Sequence, residues 1–287
     1  MSFIHYIKKP EYFLKPISIF KRLFKKNKGV SSIKTPWHST IEIDCSDMIG
    51  REIYKTGIYD LAVSELLWRL VEPGNFVIDI GANIGFFTNL CSYRTGKSGK
   101  VWAFEPNPSL QTQLKKNGNS NDLLNTTFFQ IALSDSTKEG FLVLPDHYNN
   151  NNGVAFIGND SKSSLKISLK CLDDIISTKD RIEVLKIDVE GHELAVFTGA
   201  QEALQNKCVE NIIFEDHNPY PSKVILFLQS FGYKIYRIEK GWRNIILKDP
   251  TSKSRISTRE PTNYLATFNV ARVRNKIKGG FYKCMYG

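Results

Sequence analysis

The chain lacks a long apolar run, a Cys-X-X-Cys pair, an internal repeat and a Gly-X-Gly-X-X-Gly turn. Each absence excludes something. No stretch approaches the roughly 18 consecutive apolar residues of a transmembrane helix, so none is expected. Met1–Pro10 carries Lys8 and Lys9 but not the apolar stretch and small-residue cleavage site of a secretory signal. The five cysteines (45, 91, 171, 208 and 284) are odd in number and scattered. They point to reduced thiols in a cytosolic protein and away from a structural zinc site. Without the pyrophosphate glycines, a nicotinamide-dependent oxidoreductase is disfavoured.

What is present is a chain of 287 residues, 41% hydrophobic and 12% aromatic. That suffices for one large α/β domain or two small ones and rules out a disordered protein. The net charge of +10 is unevenly spread: residues 1–34 carry +8, residues 248–287 carry +7, and the stretch between them carries −5. An acidic globule with basic ends is expected, whereas a nucleic-acid enzyme more often spreads basic surface around its site. Three segments follow: a basic, aromatic-rich arm over 1–40, a globular domain over 41–270, and a basic tail over 271–287. Within the arm, residues 3–28 interleave Phe and Tyr with Lys and Arg, and apolar positions 17, 19, 20, 23 and 24 fall near helical spacing. Such a face suits peripheral contact with an anionic membrane surface. Gly29–His38 reads as a linker.

From residue 61 the pattern alternates. A helix with apolar positions 61, 63, 66, 67, 70 and 71 precedes the buried strand Phe76–Ile80. Helix Phe86–Tyr93, strand Val101–Phe104, helix Leu110–Asn117 and a strand near Thr127–Leu133 come next. The polar loop Asn149–Gly153 leads to a hairpin strand, Leu165–Lys170, and a short helix, Leu172–Ile176. Strand Val184–Ile187, helix Glu193–Leu204, strand Asn211–Phe214, helix Lys223–Phe231 and strands Tyr233–Ile238 and Tyr264–Phe268 finish the core. Strands and helices alternating at this spacing predict βαβ units in a doubly wound, Rossmann-like parallel sheet.

In such a sheet, ligands bind beyond the carboxyl ends of the strands. The first strand–turn–helix reads Asp79-Ile-Gly81-Ala-Asn83-Ile-Gly85. Gly81 allows a sharp turn and Gly85 a close approach of helix to strand. Asp79 places a carboxylate where a pyrophosphate would be repelled and the ammonium of an amino acid favoured. Glu105, twenty-six residues later, ends the second strand. An acid there can accept hydrogen bonds from ribose hydroxyls. The pair selects a nucleoside bearing an amino acid, which fits S-adenosylmethionine.

The segments VIDIGANIGFFT, AFEPNP and LKIDVEGHE…GA, with YKTGIYD, IALSD, CLDDII and FGYKIYRI, resemble the FkbM family of S-adenosylmethionine-dependent methyltransferases. The resemblance spans about Ile53 to Phe268. It implies a class I methyltransferase fold, with a seven-stranded, mostly parallel sheet containing one antiparallel strand. It also implies O-methylation, often of sugar hydroxyls. On this basis Asp79, Gly81, Asn83 and Gly85 would line the methionine half of the cofactor. Glu105 would bind the ribose with Pro106 and Asn107 beside it, Tyr54 and Tyr59 would close over the methionine end, and Asp135 would lie on the adenine side.

The acceptor side is expected in Lys186-Ile-Asp188-Val-Glu190-Gly-His192-Glu193. Alternation along the strand points Lys186, Asp188 and Glu190 one way. A sugar hydroxyl ionises far above neutral pH, so a base near its proton helps. His192 has the appropriate pKa class, and Asp188 or Glu190 could orient it or accept the proton. The neighbouring strand ends in Glu215-Asp216-His217-Asn218. His217 is a further candidate base, and Lys186, Glu215 and Asn218 are candidate substrate contacts. A divalent ion held by Asp188, Glu215 and Asp216 is the less favoured alternative to a metal-free site. The expected activity is O-methylation of a saccharide hydroxyl by a cytoplasmic enzyme, with RNA methylation or a non-catalytic membrane- or partner-binding module as rivals.

Overall fold

The computed structural model describes Pro10 and residues 29–144, 155–159, 164–252 and 262–287. The expected arm over 3–28, Pro10 apart, and the loop Asn149–Gly153 lie outside the described residues. In chain order the elements are β1 (Val30–Lys34), β2 (Thr40–Asp44), α1 (Met48–Thr56), α2 (Leu61–Leu70), β3 (Phe76–Ile80), α3 (Phe86–Thr95), β4 (Lys100–Phe104) and α4 (Pro108–Asn119). There follow β5 (Thr126–Phe129), β6 (Ala132–Leu133), β7 (Lys138–Val143), β8 (Phe156–Gly158), β9 (Ser164–Lys170), β10 (Ile182–Ile187), α5 (Glu193–Thr198) and α6 (Gln201–Gln205). The chain closes with β11 (Val209–Asp216), α7 (Lys223–Ser230), β12 (Lys234–Lys240), β13 (Ile245–Lys248), β14 (Thr262–Thr267) and α8 (Val270–Ile277).

The main sheet has eight strands in the order β13-β12-β14-β11-β10-β3-β4-β5. β3, β4, β5, β10 and β11 pair in parallel. β14 runs against both β11 and β12. This is the expected doubly wound sheet with an antiparallel strand between two parallel ones. β13 extends it by an eighth strand, antiparallel to β12, which the seven-strand expectation omits. Strand β3 is buried along its whole length, as its unbroken apolar run requires. One apolar core lies between the sheet and α2, α3, the β1–β2 hairpin and the C-terminal stretch. The other lies against α5, α6 and α7. A smaller sheet, β6-β9-β7-β8, stands beside the main one.

Several boundaries differ from the sequence expectation for identifiable reasons. The presumed linker contains β1, which pairs with β2 and buries Ile33. The expected helix Glu193–Leu204 is two helices, because a Cβ at Gly199 would lie 1.9 Å from the Ser134 carbonyl oxygen. That close approach docks the helix break onto β6. Leu172–Ile176 forms a single turn, with the Ile175 and Ile176 amides on the Leu172 carbonyl. Its Asp173 instead caps α6, accepting from the Glu202 and Ala203 amides.

The basic C-terminal segment is not a loose tail. α8 packs on α2, and Tyr282, Cys284 and Met285 are buried. The buried Arg69 guanidinium pairs with Glu65 and donates to the carbonyls of Lys276, Lys278, Gly279 and Phe281. Arg272 pairs with Glu72, Glu183 and Glu210, so part of the basic charge read at this end is neutralised within the fold. Among the described residues, no helix is long and apolar enough to cross a membrane.

Candidate active site

A cavity of about 1250 Å³ lies over the carboxyl ends of the parallel strands, reaching from Glu105 at the tip of β4 to Trp242 and Lys248 beyond β12. It exceeds the roughly 300–1,000 Å³ typical of a single small-molecule site, so cofactor and acceptor fit side by side.

At one end the chain turns after β3. Gly81 has φ +73°, and a Cβ there would fall 1.9 Å from the Asp188 carbonyl oxygen. The turn can therefore press against the tip of β10 only as glycine. The Asp188 amide in turn donates to the Ile80 carbonyl at 3.1 Å. The Glu105 carboxylate accepts from the Asn83 amide at 2.9 Å and the Asn107 amide at 3.0 Å. It thereby ties the glycine turn to the start of α4. Burial pushes its pKa up to about 7, against the lowering effect of these two amides. Phe104, Leu110, Ile131 and Leu133 form an apolar wall beside it. A buried acceptor pair next to an apolar slot suits a ribose and its base, so the residues present fit the expected cofactor.

Asp79 departs from expectation. It is buried, does not line the cavity, and accepts from the Thr88 hydroxyl at 2.6 Å. Its other oxygen lies 3.3 Å from Lys186 Nζ, within ion-pair distance but without hydrogen-bond alignment. Lys186 does reach the cavity. Its ammonium sits between Asp79 and Asp188 (3.5 Å) and donates to the Gly81 carbonyl at 3.3 Å. Burial opposes this charge, but Asp79 and Asp188 outweigh it and raise the pKa. The carboxylate expected to face an ammonium is thus already matched by the protein's own cation.

Further along the cavity, Asp188, Glu190 and Glu215 converge, each offering an oxygen within 4.8 Å of the others. Burial, then the charges of Asp188 and Glu190, push Glu215 up to about 9. Glu190 is also raised, by burial and then Asp188. His217 Nε2 lies 3.6 Å from Glu190 and 3.9 Å from Glu215, at the open edge. Tyr59 lines the cavity, packed edge-on against Phe86, its pKa raised by burial and then by Asp188.

The remaining sequence candidates lie elsewhere. His192 is held 2.9 Å from the Ser134 hydroxyl and does not line the cavity; burial lowers its pKa. The turn Glu190-Gly191, with both residues at positive φ, swings the chain so that the imidazole meets β6 rather than the acids. Asp216, grouped with Asp188 and Glu215 in the metal alternative, is buried and engaged by Ser222 and Asn218; Glu190 takes its place in the cluster. Asn218 donates its side-chain amide to Asp216 and does not line the cavity. Asp135 is a surface residue bonded to Ser136, Tyr54 packs on the core beside α2, and Asn107 caps α4 through the Ser109 amide. Gly85 admits the Leu114 side chain of α4. Pro106, in contrast, lines the cavity. Sequence reasoning missed Asp60, Asn263 and Trp242 in the cavity wall; only the topology brings them there.

The sheet order, the glycine turn and the acid at the second strand tip define a group-transfer enzyme built for a nucleoside cofactor. Residues 79–235, more than half of the chain, match the methyltransferase FkbM domain, and the protein belongs to that family of S-adenosylmethionine-dependent methyltransferases. It is 28% identical over 234 residues to the methyltransferase sdnD of Sordaria araneosa, covering 69% of this chain and 85% of that one. It is 30% identical over 157 residues to the hexuronic acid methyltransferase AglP of Haloferax volcanii, covering 54% of this chain and 61% of that one. A solved SAM-dependent O-methyltransferase from Thermotoga maritima is 14% identical, with a TM-score of 0.44 over 85% of this chain and 94% of that one.

Proposed function

We propose that this methyltransferase modifies a hydroxyl group of a saccharide. The carrying observation is the cluster Asp188–Glu190–Glu215, in one cavity with Glu105. Carboxylates suit a polyol, since each accepts hydroxyl hydrogen bonds. S-adenosylmethionine supplies, when bound, a methyl group on a positively charged sulfur. Glu105 accepts from the ribose hydroxyls, and Gly81, Asn83 and Pro106 shape the turn beside it. Lys186 faces the amino-acid half. Asp188 and Glu190 are the catalytic carboxylates of this reading: one of them would take the single hydroxyl proton as the acceptor oxygen gains the methyl group and the sulfur keeps the electron pair of the broken carbon–sulfur bond. Glu215, holding its proton at neutral pH, bonds to Asp188 and orients the acceptor. His217 passes the proton on to solvent. The similarity to the hexuronic acid methyltransferase AglP supports a sugar acceptor.

The test is transfer of a labelled methyl group to uronate-containing saccharides and, in parallel, to RNA. Methylation of a saccharide hydroxyl, located by NMR, is expected; transfer to RNA alone would overturn the reading. Activity should survive a chelator, and its loss with recovery on adding Mg²⁺ or Mn²⁺ would convert the acid cluster into a metal site. The pattern of residues 3–28 supports a further reading of a cytoplasmic enzyme resting on an anionic membrane, checked by co-sedimentation with anionic vesicles.

A further inference from the structure

We propose that Glu193 is a positioning residue that holds the turn presenting Glu190 to the acceptor, so that Glu190 rather than Asp188 takes the hydroxyl proton. This rests on the reading above that one of these two carboxylates is the base.

The two carboxylates are held differently. Asp188 sits at the tip of β10, its amide on the Ile80 carbonyl and its own carbonyl oxygen against Gly81. Its side chain lies 3.5 Å from the Lys186 ammonium and is hydrogen-bonded to Glu215. A carboxylate engaged by a cation and by a neighbour's proton has little left to offer an incoming hydroxyl. Glu190 also lines the cavity, but among the described residues no hydrogen bond reaches its carboxylate. Its ion-pair contact is His217 Nε2 at 3.6 Å, on the open edge where a proton can leave.

Glu190 occupies this place because the chain turns sharply after the strand. It has φ +49° and is followed by Gly191 at φ +89°. A non-glycine residue in that region is strained and persists where its surroundings over-determine it. Glu193 supplies the restraint. Its Oε1 accepts from the Gly191 amide at 3.1 Å, and its carboxylate also meets its own amide. His192, the cap residue of α5, makes no side-chain cap bond, so Glu193 serves the free amides of the helix start in its stead. Glu193 is 4% exposed and does not line the cavity, so it acts through the turn and not on the acceptor. On the helix side, the His192 amide donates to the Val189 carbonyl at 3.3 Å and the imidazole is fixed on Ser134.

The test is a mutant cycle on a saccharide that the wild type methylates, with kcat and acceptor KM read separately. Glu190→Gln should lower kcat about 100-fold. Glu193→Ala should lower kcat about tenfold at unchanged acceptor KM, because it loosens the base and leaves the binding groups in place. Glu193→Asp, whose shorter side chain withdraws the oxygen but keeps the charge, should behave like Glu193→Ala. Glu193→Gln, whose amide oxygen still accepts from Gly191, should keep kcat within about threefold of the wild type. In the Glu190→Gln background, Glu193→Ala should cost nothing further. S-adenosylhomocysteine binding by calorimetry should show that the variants are folded. An equal loss from Glu193→Ala in both backgrounds would make Glu193 merely structural and overturn this inference. A Glu190→Gln enzyme with wild-type kcat, beside an inactive Asp188→Asn, would return the base to Asp188 and overturn this inference while the proposed function stands. A wild type that methylates no saccharide overturns both.

Discussion

The two ends of the cavity are built by different means. At the β3–β4 end, backbone does most of the work: Gly81 touches the Asp188 carbonyl, and Glu105 holds two amides. At the β10–β12 end, side chains from separate strands meet: Asp188 and Glu190 follow β10, Glu215 comes from β11, and Trp242 follows β12. A cofactor common to a family can be met by a fixed turn, whereas an acceptor is met by what the sheet register happens to bring together. The difference teaches where variation between relatives is tolerable.

Lys186 belongs to both ends, and replacing it is the severest test of their separateness. Lys186→Met leaves Asp79 buried beside no cation, which should cost about 3–5 kcal/mol of stability in urea denaturation. A variant of unchanged stability would show that Asp79 does not depend on this partner. Next in size, Glu105→Ala should weaken S-adenosylmethionine binding by about 100-fold in calorimetry, through loss of charge-assisted hydrogen bonds. Retained affinity would remove Glu105 from the donor site.

A third test separates the ends by pH. Both Glu105 and Glu215 have folded pKa values above the ordinary carboxylate value, at about 7 and about 9. At these two groups the folded state binds more protons than the unfolded one, so their contribution to stability is fully present below about pH 4.5 and is lost as pH rises through these values. Glu105→Gln should flatten the decline up to about pH 7, and Glu215→Gln its continuation to about pH 9, in denaturation series without ligand. Identical profiles for the two variants would erase the distinction. The smallest effect is expected for His192→Ala, whose turnover should fall by far less than the roughly 100-fold that follows loss of a general base. A large loss would return His192 to the catalytic set.

The legibility of the sequence follows the same division. The glycine turn, Glu105 and the doubly wound order were readable because they depend on neighbours along the chain and on the period of apolar residues. Asp79 was misplaced because Lys186, distant in sequence, neutralises it. His192 looked like a base by type and position, but the positive-φ pair Glu190-Gly191 redirects it. Trp242 stood in no motif. Of the small sheet, β9 was readable as the hairpin strand Leu165–Lys170 and β6 lay inside the strand expected near Thr127–Leu133, whereas β7, β8 and β13 were not revealed by periodicity.

The antiparallel strand β14 inserts between β11 and β12, though it lies some thirty residues beyond the matched stretch 79–235. Any fragment trimmed to that stretch would lose β14, β13 and all of β12 beyond Ile235, and with them α2 and its Arg69. Excision by sequence likeness would therefore leave β11 as a bare sheet edge rather than free a smaller working enzyme.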